Sequence, residues 1–268
     1  MILKDLIKIL DTIFEKNLAL QNDVTGLQTG KLESNVSSAL IVLDITEDVI
    51  HEALTKKVDL IITHHPLIFE PIVHIISNTI QGKKILNLVE KGISVYTAHT
   101  NFDSMPDGLN YGVAERIGLK NIRTMDQITG LGRIGELLPP EKFSDFIKSI
   151  KNRLDLKNLK WISKSADDSF LRTIKTAAVI NGSANSFTDS FSMYDCECDV
   201  VIVGEIKYHN SLEIIESGKI LIELGHGESE KISIDLMYDK LNSIFKTNQD
   251  LKLIKSRPGY IPWRYYIE

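Results

Sequence analysis

The sequence is poor in the features that mark several kinds of protein. Two cysteines, Cys196 and Cys198, in 268 residues exclude a disulfide scaffold and fit a reducing cytosol. Lysine and arginine total 31 against 36 aspartates and glutamates, a net charge of −5, so the basic excess of a nucleic-acid binder is missing. No apolar stretch approaches the ~18 residues of a membrane span. Leu3, Leu6, Ile7, Leu10, Ile13 and Phe14 recur at helical spacing, but Lys4, Asp5, Lys8 and Asp11 interrupt them; this is an amphipathic core helix and not a signal peptide. What remains is ordinary globular composition, 43% apolar and 25% charged, and a cytoplasmic setting is expected.

Short apolar runs carry the organisation. Ala39–Leu43, Asp59–Ile62 and Ile93–Ala98 read as strands buried on both faces, with helices at Glu47–Lys56 and Lys83–Lys91 between them. That alternation implies βαβ units and a mostly parallel sheet. The rhythm returns at Thr176–Ile180, Asp199–Val203 and Lys219–Leu224, with a helix at Asn210–Glu216. Asp59-Leu-Ile-Ile-Thr-His-His is echoed by Asp199-Val-Val-Ile-Val-Gly-Glu, and Gly92-Ile-Ser-Val-Tyr-Thr-Ala-His by Gly218-Lys-Ile-Leu-Ile-Glu-Leu-Gly-His. The expected fold class is α/β: two similar halves, 1–125 and 126–268, with the seam near Thr124–Thr129. After it Arg133–Leu137 reads as a strand that Pro139-Pro140 ends, and Phe143–Leu154 as a helix. The tail from Pro258, with two prolines and four aromatics, reads as an extended arm.

Five of the seven histidines, His64, His65, His99, His209 and His226, fall at or just past strand ends, where open α/β sheets bind ligands. Neighbours on an extended chain point apart, so His64 and His65 suit two adjacent metals unless the backbone turns between them. Past the next strand stand His99, either a proton-transfer group or a core histidine, and Asp103. His226 and Glu230 are four apart and share a helix face, whereas Glu228 reads as part of a solvated first turn. His64, His65, Asp103, His226 and Glu230 offer five ligands. If Glu230 bridges and a shared water supplies the rest, they complete two four-coordinate ions roughly 3.5–4 Å apart, a hydrolytic arrangement. Imidazole and carboxylate donors suit zinc, iron, manganese or nickel. Glu205, Lys207, Tyr208 and His209 follow the strand equivalent to the one before His64 and are candidate acid, base or substrate groups.

Two motifs fail in context. Gly130-Leu-Gly-Arg-Ile-Gly135 lacks the strand-before, helix-after setting of a dinucleotide site, and Gly26-Leu-Gln-Thr-Gly-Lys31 is one residue short of a P-loop. Cys196-Glu-Cys198 lacks the four ligands of structural zinc, and pairing its thiols requires a tight ring; it reads as two unremarkable thiols.

Along nearly its whole length the chain resembles the Ngg-one-interacting-factor-three-like, or dinuclear-metal-centre, family, whose bacterial members are labelled GTP cyclohydrolase I type II homologues. Asn22-Asp-Val-Thr-Gly-Leu-Gln-Thr-Gly, Ile62-Thr-His-His-Pro-Leu-Ile-Phe, Ala98-His-Thr-Asn-Phe-Asp, Asp107-Gly-Leu-Asn, Gly204-Glu-Ile-Lys-Tyr-His and Gly225-His-Gly-Glu-Ser-Glu carry the resemblance. It implies metal ligands at His64, His65, Asp103, His226 and Glu230, two α/β halves facing each other across a metal cleft, and a homohexameric ring. Glu205 stands where the family has Asp, and the chain has no room for the domain some relatives insert between the halves.

The expected function is a dinuclear-metal-dependent hydrolase with a metal-bridging water or hydroxide as nucleophile and Glu205, His209 or His99 moving protons. The resemblance points to GTP or another nucleotide as substrate. The alternatives are a metal carrier or regulatory interaction factor, and a nucleic-acid-binding ring lined by Lys252, Lys255 and Arg257, which the net charge disfavours.

Overall fold

The computed structural model describes residues 1–184, 196–246, 251–257 and 262–263. The chain forms two compact units, Met1–Phe102 with the described residues from Ser233 onward, and Asp103–Ile232. Among the described residues no helix is long and apolar enough to cross a membrane.

The chain opens with α1 (Leu3–Ile13), which buries Leu3, Leu6 and Leu10 and pairs Asp5 with Lys8 in solvent. Next come β1 (Gly26–Thr29), β2 (Ser38–Val42), α2 (Glu47–Thr55), β3 (Leu60–Thr63), α3 (Ile80–Glu90), β4 (Ser94–Thr97) and α4 (Thr100–Ser104). Thr46 and Thr79 cap α2 and α3 by accepting from the amides of Val49 and Gly82. Every residue of β2, β3 and β4 is buried, which is what a parallel sheet covered on both faces demands. Leu40, Val42, Ile61 and Val95 of these strands pack with Ile50, Ala53, Ile85 and Leu88 of the two helices.

The second unit contains α5 (Leu109–Arg116), β5 (Lys120–Thr124), β6 (Arg133–Lys142), α6 (Phe143–Arg153), β7 (Lys160–Ile162), α7 (Ala166–Leu171), β8 (Thr173–Ser183), β9 (Val200–Glu205), α8 (Tyr208–Glu216), β10 (Ile220–Glu223) and α9 (His226–Glu230). The chain then returns to the first unit with α10 (Ser233–Phe245) and β11 (Lys252–Lys255).

The first sheet runs β1-β4-β3-β2-β11 and is parallel except at β1. The second runs β5-β6-β8-β9-β10-β7; only β8, β9 and β10 are mutually parallel, so this sheet is mixed where a mostly parallel one is expected. The short connection from β5 to β6 permits only antiparallel pairing, which a crossover helix would otherwise have avoided. The units also do not divide at residues 125 and 126. β11 pairs in parallel with β2, and a four-residue edge strand with an exposed lysine at each end carries little apolar signal. Pro139 and Pro140 do not end β6 at Leu137; the strand runs through to Lys142, with an irregularity in its pairing to β8 between Glu136 and Glu141 that absorbs the two missing donors. Of the tail, all but Pro262 and Trp263 lies outside the described residues.

The sequence echo has a structural counterpart. Oδ2 of Asp59 accepts from the amides of Ser37 and Ser38 at 2.8 and 3.1 Å. Oδ2 of Asp199 accepts from those of Lys175 and Thr176 at the same two distances, 2.8 and 3.1 Å. In each unit a carboxylate just before one parallel strand pins its neighbour where their pairing begins.

Candidate metal centre

In the first unit the chemistry stands at the carboxyl ends of β3 and β4. The amides of His64 and His65 continue the pairing by donating to Val42 and Leu43 carbonyls at 3.1 and 2.9 Å. Thr63 Oγ1 donates to the carbonyl of Leu43 at 3.0 Å and lies 2.9 Å from that of His65, so the chain turns as it leaves the strand. The two adjacent imidazoles therefore do not point apart: their ring centroids are 5.1 Å from each other, and those of His64 and His65 lie 5.4 and 5.9 Å from that of His99.

Each ring is held from behind. His64 Nδ1 lies 2.9 Å from the carbonyl of Ala98, His65 Nδ1 2.7 Å from Asp44 Oδ1, and His99 Nδ1 2.7 Å from Asp23 Oδ1. A carbonyl or carboxylate only accepts, so all three Nδ1 atoms carry the proton, and the neutral ring then presents its lone pair at Nε2. This is how metal-binding imidazoles are oriented. His64, His65 and His99 each offer a ring nitrogen within 4.8 Å of the others, a group that could hold a metal ion. His99 is thus not a core histidine. Burial alone would raise the Asp23 carboxyl, but hydrogen bonds from His99, Thr100 and the Val24 amide outweigh it and hold it at about 2.

Two further contacts position this rim. Gln28, in the rejected P-loop stretch, exchanges hydrogen bonds of 3.0 Å each with the amide and carbonyl of Ile68 and so fixes the loop after His65. Phe69, the next residue of that loop, is 52% exposed and stands edge-on to His99, centroids 6.1 Å apart.

The second unit holds carboxylates. Asp103 and Glu230 are both buried, at 8% and 3% exposure. One turn of α9 brings His226 Nε2 within 3.2 Å of Glu230 Oε2, while His226 Nδ1 lies 3.2 Å from Glu205 Oε1. Gly182 has φ +62°, a conformation that residues with a side chain rarely adopt, and a Cβ there would fall 2.3 Å from Glu230 Oε1. Glu228 does not sit on a solvated turn: the chain at Gly225, φ +97°, lets its carboxylate fold in, and it is buried.

The segment bearing Asp103 is tied down by Asn110, which donates to the Asp103 carbonyl at 3.2 Å and accepts from the Asn181 amide at 2.9 Å. The buried Arg133 guanidinium donates to the carbonyls of Gly130 and Gly132 at 2.7 Å each, to that of Ser104 at 3.2 Å, and to that of Met105. Burial lowers its pKa, which Asp103 and Asp107 oppose. The glycines of the rejected dinucleotide motif thus shape a carbonyl cage for an arginine.

Of the expected proton-transfer groups, His99 stands beside His64 and His65, and Glu205 beside His226. Glu205 and His209 are exposed, as are Lys207 and Tyr208, and His209 rests against the Tyr208 ring. Among the described residues neither Glu205 nor His209 joins a three-donor group. The residues that sequence reading missed are Asp23 and Asp44. Asp44 lies just past the carboxyl end of β2, where the rim rule that found the histidines also points; Asp23 lies in a loop 76 residues from its partner.

Donors and orientation fit a divalent cation of the zinc, iron, manganese or nickel kind. Residues 1–258 match the family described as Duf34/NIF3 (NGG1p interacting factor 3). A Clostridium perfringens relative named GTP cyclohydrolase 1 type 2 homolog is 32% identical, covering 98% of this chain and 99% of its own. The NIF3 homolog of Schizosaccharomyces pombe is 31% identical over 93% and 92%. Among solved structures, a hypothetical protein of Staphylococcus aureus superposes with a TM-score of 0.88 at 26% identity, covering 99% of both chains. Reduced HcgD of Methanocaldococcus jannaschii gives 0.76 at 27%, covering 95% and 97%. The chain belongs to the Duf34/NIF3 family.

Proposed function

We propose that the chain is a dinuclear-metal-dependent hydrolase of a nucleotide such as GTP, with His64, His65, Asp103, His226 and Glu230 as the ligands of two divalent ions. The observation that carries this reading is the set of three imidazoles on one rim, each oriented by an acceptor at Nδ1 and each offering a ring nitrogen within 4.8 Å of the others. When bound, such a pair of ions supplies Lewis acidity and a water acidic enough to act as nucleophile near neutral pH.

The chain's own residues do the rest. Asp44 orients His65, and Glu205 orients His226; a glutamate reaches Nδ1 where the family's shorter aspartate stands, so we assign Glu205 positioning and not proton transfer. His99, steadied by Asp23, accepts and returns the proton at Nε2. The exposed Phe69 ring offers a planar face on which a purine stacks. The relatives named GTP cyclohydrolase 1 type 2 homolog favour a guanine nucleotide. The same proposal has the protein act in the cytoplasm as a homohexamer.

The test is elemental analysis after reconstitution with each candidate metal, followed by assay on GTP and on generic phosphoesters. We expect two ions per subunit, hydrolysis of GTP, and a loss of about 100-fold or more in His99→Ala with the metal retained. A fully loaded but inactive wild type, or activity unchanged in Asp103→Ala, would overturn catalysis and leave a metal carrier.

A further inference from the structure

Within the second unit the two cysteines lie apart from Glu205. They precede β9 at the end of that strand opposite Glu205, some 20 Å along it for six residues at about 3.3 Å each. Their two sulfur atoms are 2.8 Å apart. The backbone explains the approach. The Cys198 amide donates to the Cys196 carbonyl at 2.9 Å, a hydrogen bond across one residue that closes a γ-turn. Residues two apart in an extended strand have Cα atoms roughly 6.6 Å from each other, already near the upper limit of about 6.8 Å for a disulfide; a γ-turn draws them closer. The ring that looks too tight from sequence spacing is therefore prepared by the local fold.

Accessibility is graded. Cys196 is buried at 6% exposure, and Cys198 is partly open to solvent. Lys219, the residue before β10, is itself buried at 9% exposure. The hydrogen bond from the Cys198 thiol lowers the Cys196 pKa against its burial, and the charges of Lys219 and Arg123 add to the lowering. A thiolate at Cys196 is the nucleophilic form.

We propose that Cys196 and Cys198 form a reversible dithiol–disulfide site that exchanges with low-molecular-weight disulfides. One cysteine thiolate attacks a sulfur of the external disulfide, whose S–S bond breaks and releases one thiolate. The second cysteine loses its proton to solvent and attacks the protein sulfur of the mixed disulfide, releasing the other external thiolate. Two S–H bonds of the protein become one S–S bond, and the two electrons reduce the external disulfide to two thiols, which take up the two protons. A two-residue-spaced disulfide is strained and readily reduced, which makes it reversible.

The experiment uses the full chain in buffers of reduced and oxidised glutathione, acid-quenched, alkylated and weighed. Because the chain has two cysteines, the outcomes separate cleanly. We expect both thiols to disappear together, giving a monomeric product two hydrogens lighter that is restored by reductant. Cys196→Ser and Cys198→Ser should each stop at a glutathione adduct, which wild type clears about tenfold faster or more by the second attack. An adduct that persists in wild type, disulfide-linked dimers in place of the cyclised monomer, or thiols that stay alkylatable under the most oxidising buffer would each overturn the site.

Discussion

The β2–β3–β4 and β8–β9–β10 segments share one scaffold and differ at its edge. In both, three strands run parallel, and an aspartate just before the middle strand pins the preceding one where their pairing begins, through amide bonds of 2.8 and 3.1 Å. At the other end, the first unit places His64 and His65 where the second has Gly204 and Glu205. The first then holds its imidazoles with acceptors on neighbouring segments, Ala98, Asp44 and Asp23. The second holds its carboxylates with close-fitting backbone at Gly182 and with Arg133 and Asn110 behind Asp103. Similar scaffolds thus supply two kinds of donor by two kinds of support: directional acceptors where a tautomer must be set, and steric and backbone restraint where a carboxylate must be kept in place.

The sharpest way to break this contrast is Arg133→Met. It leaves the carbonyls of Gly130, Gly132, Ser104 and Met105 without their buried donor, and we expect a loss of about 3 kcal/mol or more in urea unfolding. Metal content should fall with it if Asp103 is a ligand. Next is Gly182→Ala. The added methyl meets Glu230 Oε1 in a backbone conformation that alanine resists, and about 2 kcal/mol of stability should go, with metal content falling as well if Glu230 is a ligand. A variant as stable and as metal-rich as wild type would show that glycine is not required there.

In the first unit the contrast can be tested on function. Asp44→Ala removes the acceptor behind a proposed ligand and should weaken metal affinity about 10–100-fold, read by competition with a chelator. Asp23→Ala removes the acceptor behind the proposed proton-transfer group. It should lower kcat with affinity nearly unchanged. Equal effects of the two on affinity would make His99 a ligand like the others.

Much of this was readable in advance, for a physical reason. Strands buried on both faces must be unbroken apolar runs, so β2, β3, β4 and β9 stand out, and the residues past their ends are the rim. The candidates His64, His65 and Asp103 follow from that rim, and His226 with Glu230 from their four-residue spacing on the helix past β10. The supports do not. Asp23 meets His99 only because the loop before β1 is brought beside the end of β4 by antiparallel pairing of those strands, a fact of topology and not of local pattern. Arg133 sits inside what passes for a dinucleotide motif, and Glu228 has the composition of a solvated turn until the positive φ at Gly225 folds it inward. Apolar periodicity is equally silent about β11, whose lysines Lys252 and Lys255 hide a parallel partner of β2. Lys255 is moreover engaged by Asp235 at 2.7 Å and lies over the Tyr238 ring, which neutralises part of the basic stripe that a nucleic-acid reading requires.

The shared scaffold itself makes the smallest and most symmetrical prediction. Burial pushes the carboxyls of Asp59 and Asp199 up, but hydrogen bonds outweigh it, chiefly from the amides of Ser37 and Ser38 in one unit and of Lys175 and Thr176 in the other; each pKa lies below its ordinary 3.8. A carboxyl depressed in the folded chain stabilises it above the unfolded value, and that stability drains away as pH falls through the lower folded value. Asp59→Asn and Asp199→Asn should therefore each cost on the order of 1 kcal/mol at neutral pH, since an amide oxygen still accepts but without charge. Each should also flatten the decline of stability below pH 4. Asp199 additionally holds Arg172 at 3.0 Å, whereas Asp59 binds the Ser37 hydroxyl at 2.7 Å, so salt should shrink the Asp199→Asn effect and leave the Asp59→Asn effect alone. Urea titrations at several pH values and two ionic strengths measure both. A large effect at one aspartate and none at the other would mean that the two units share a sequence echo without sharing its physical cause.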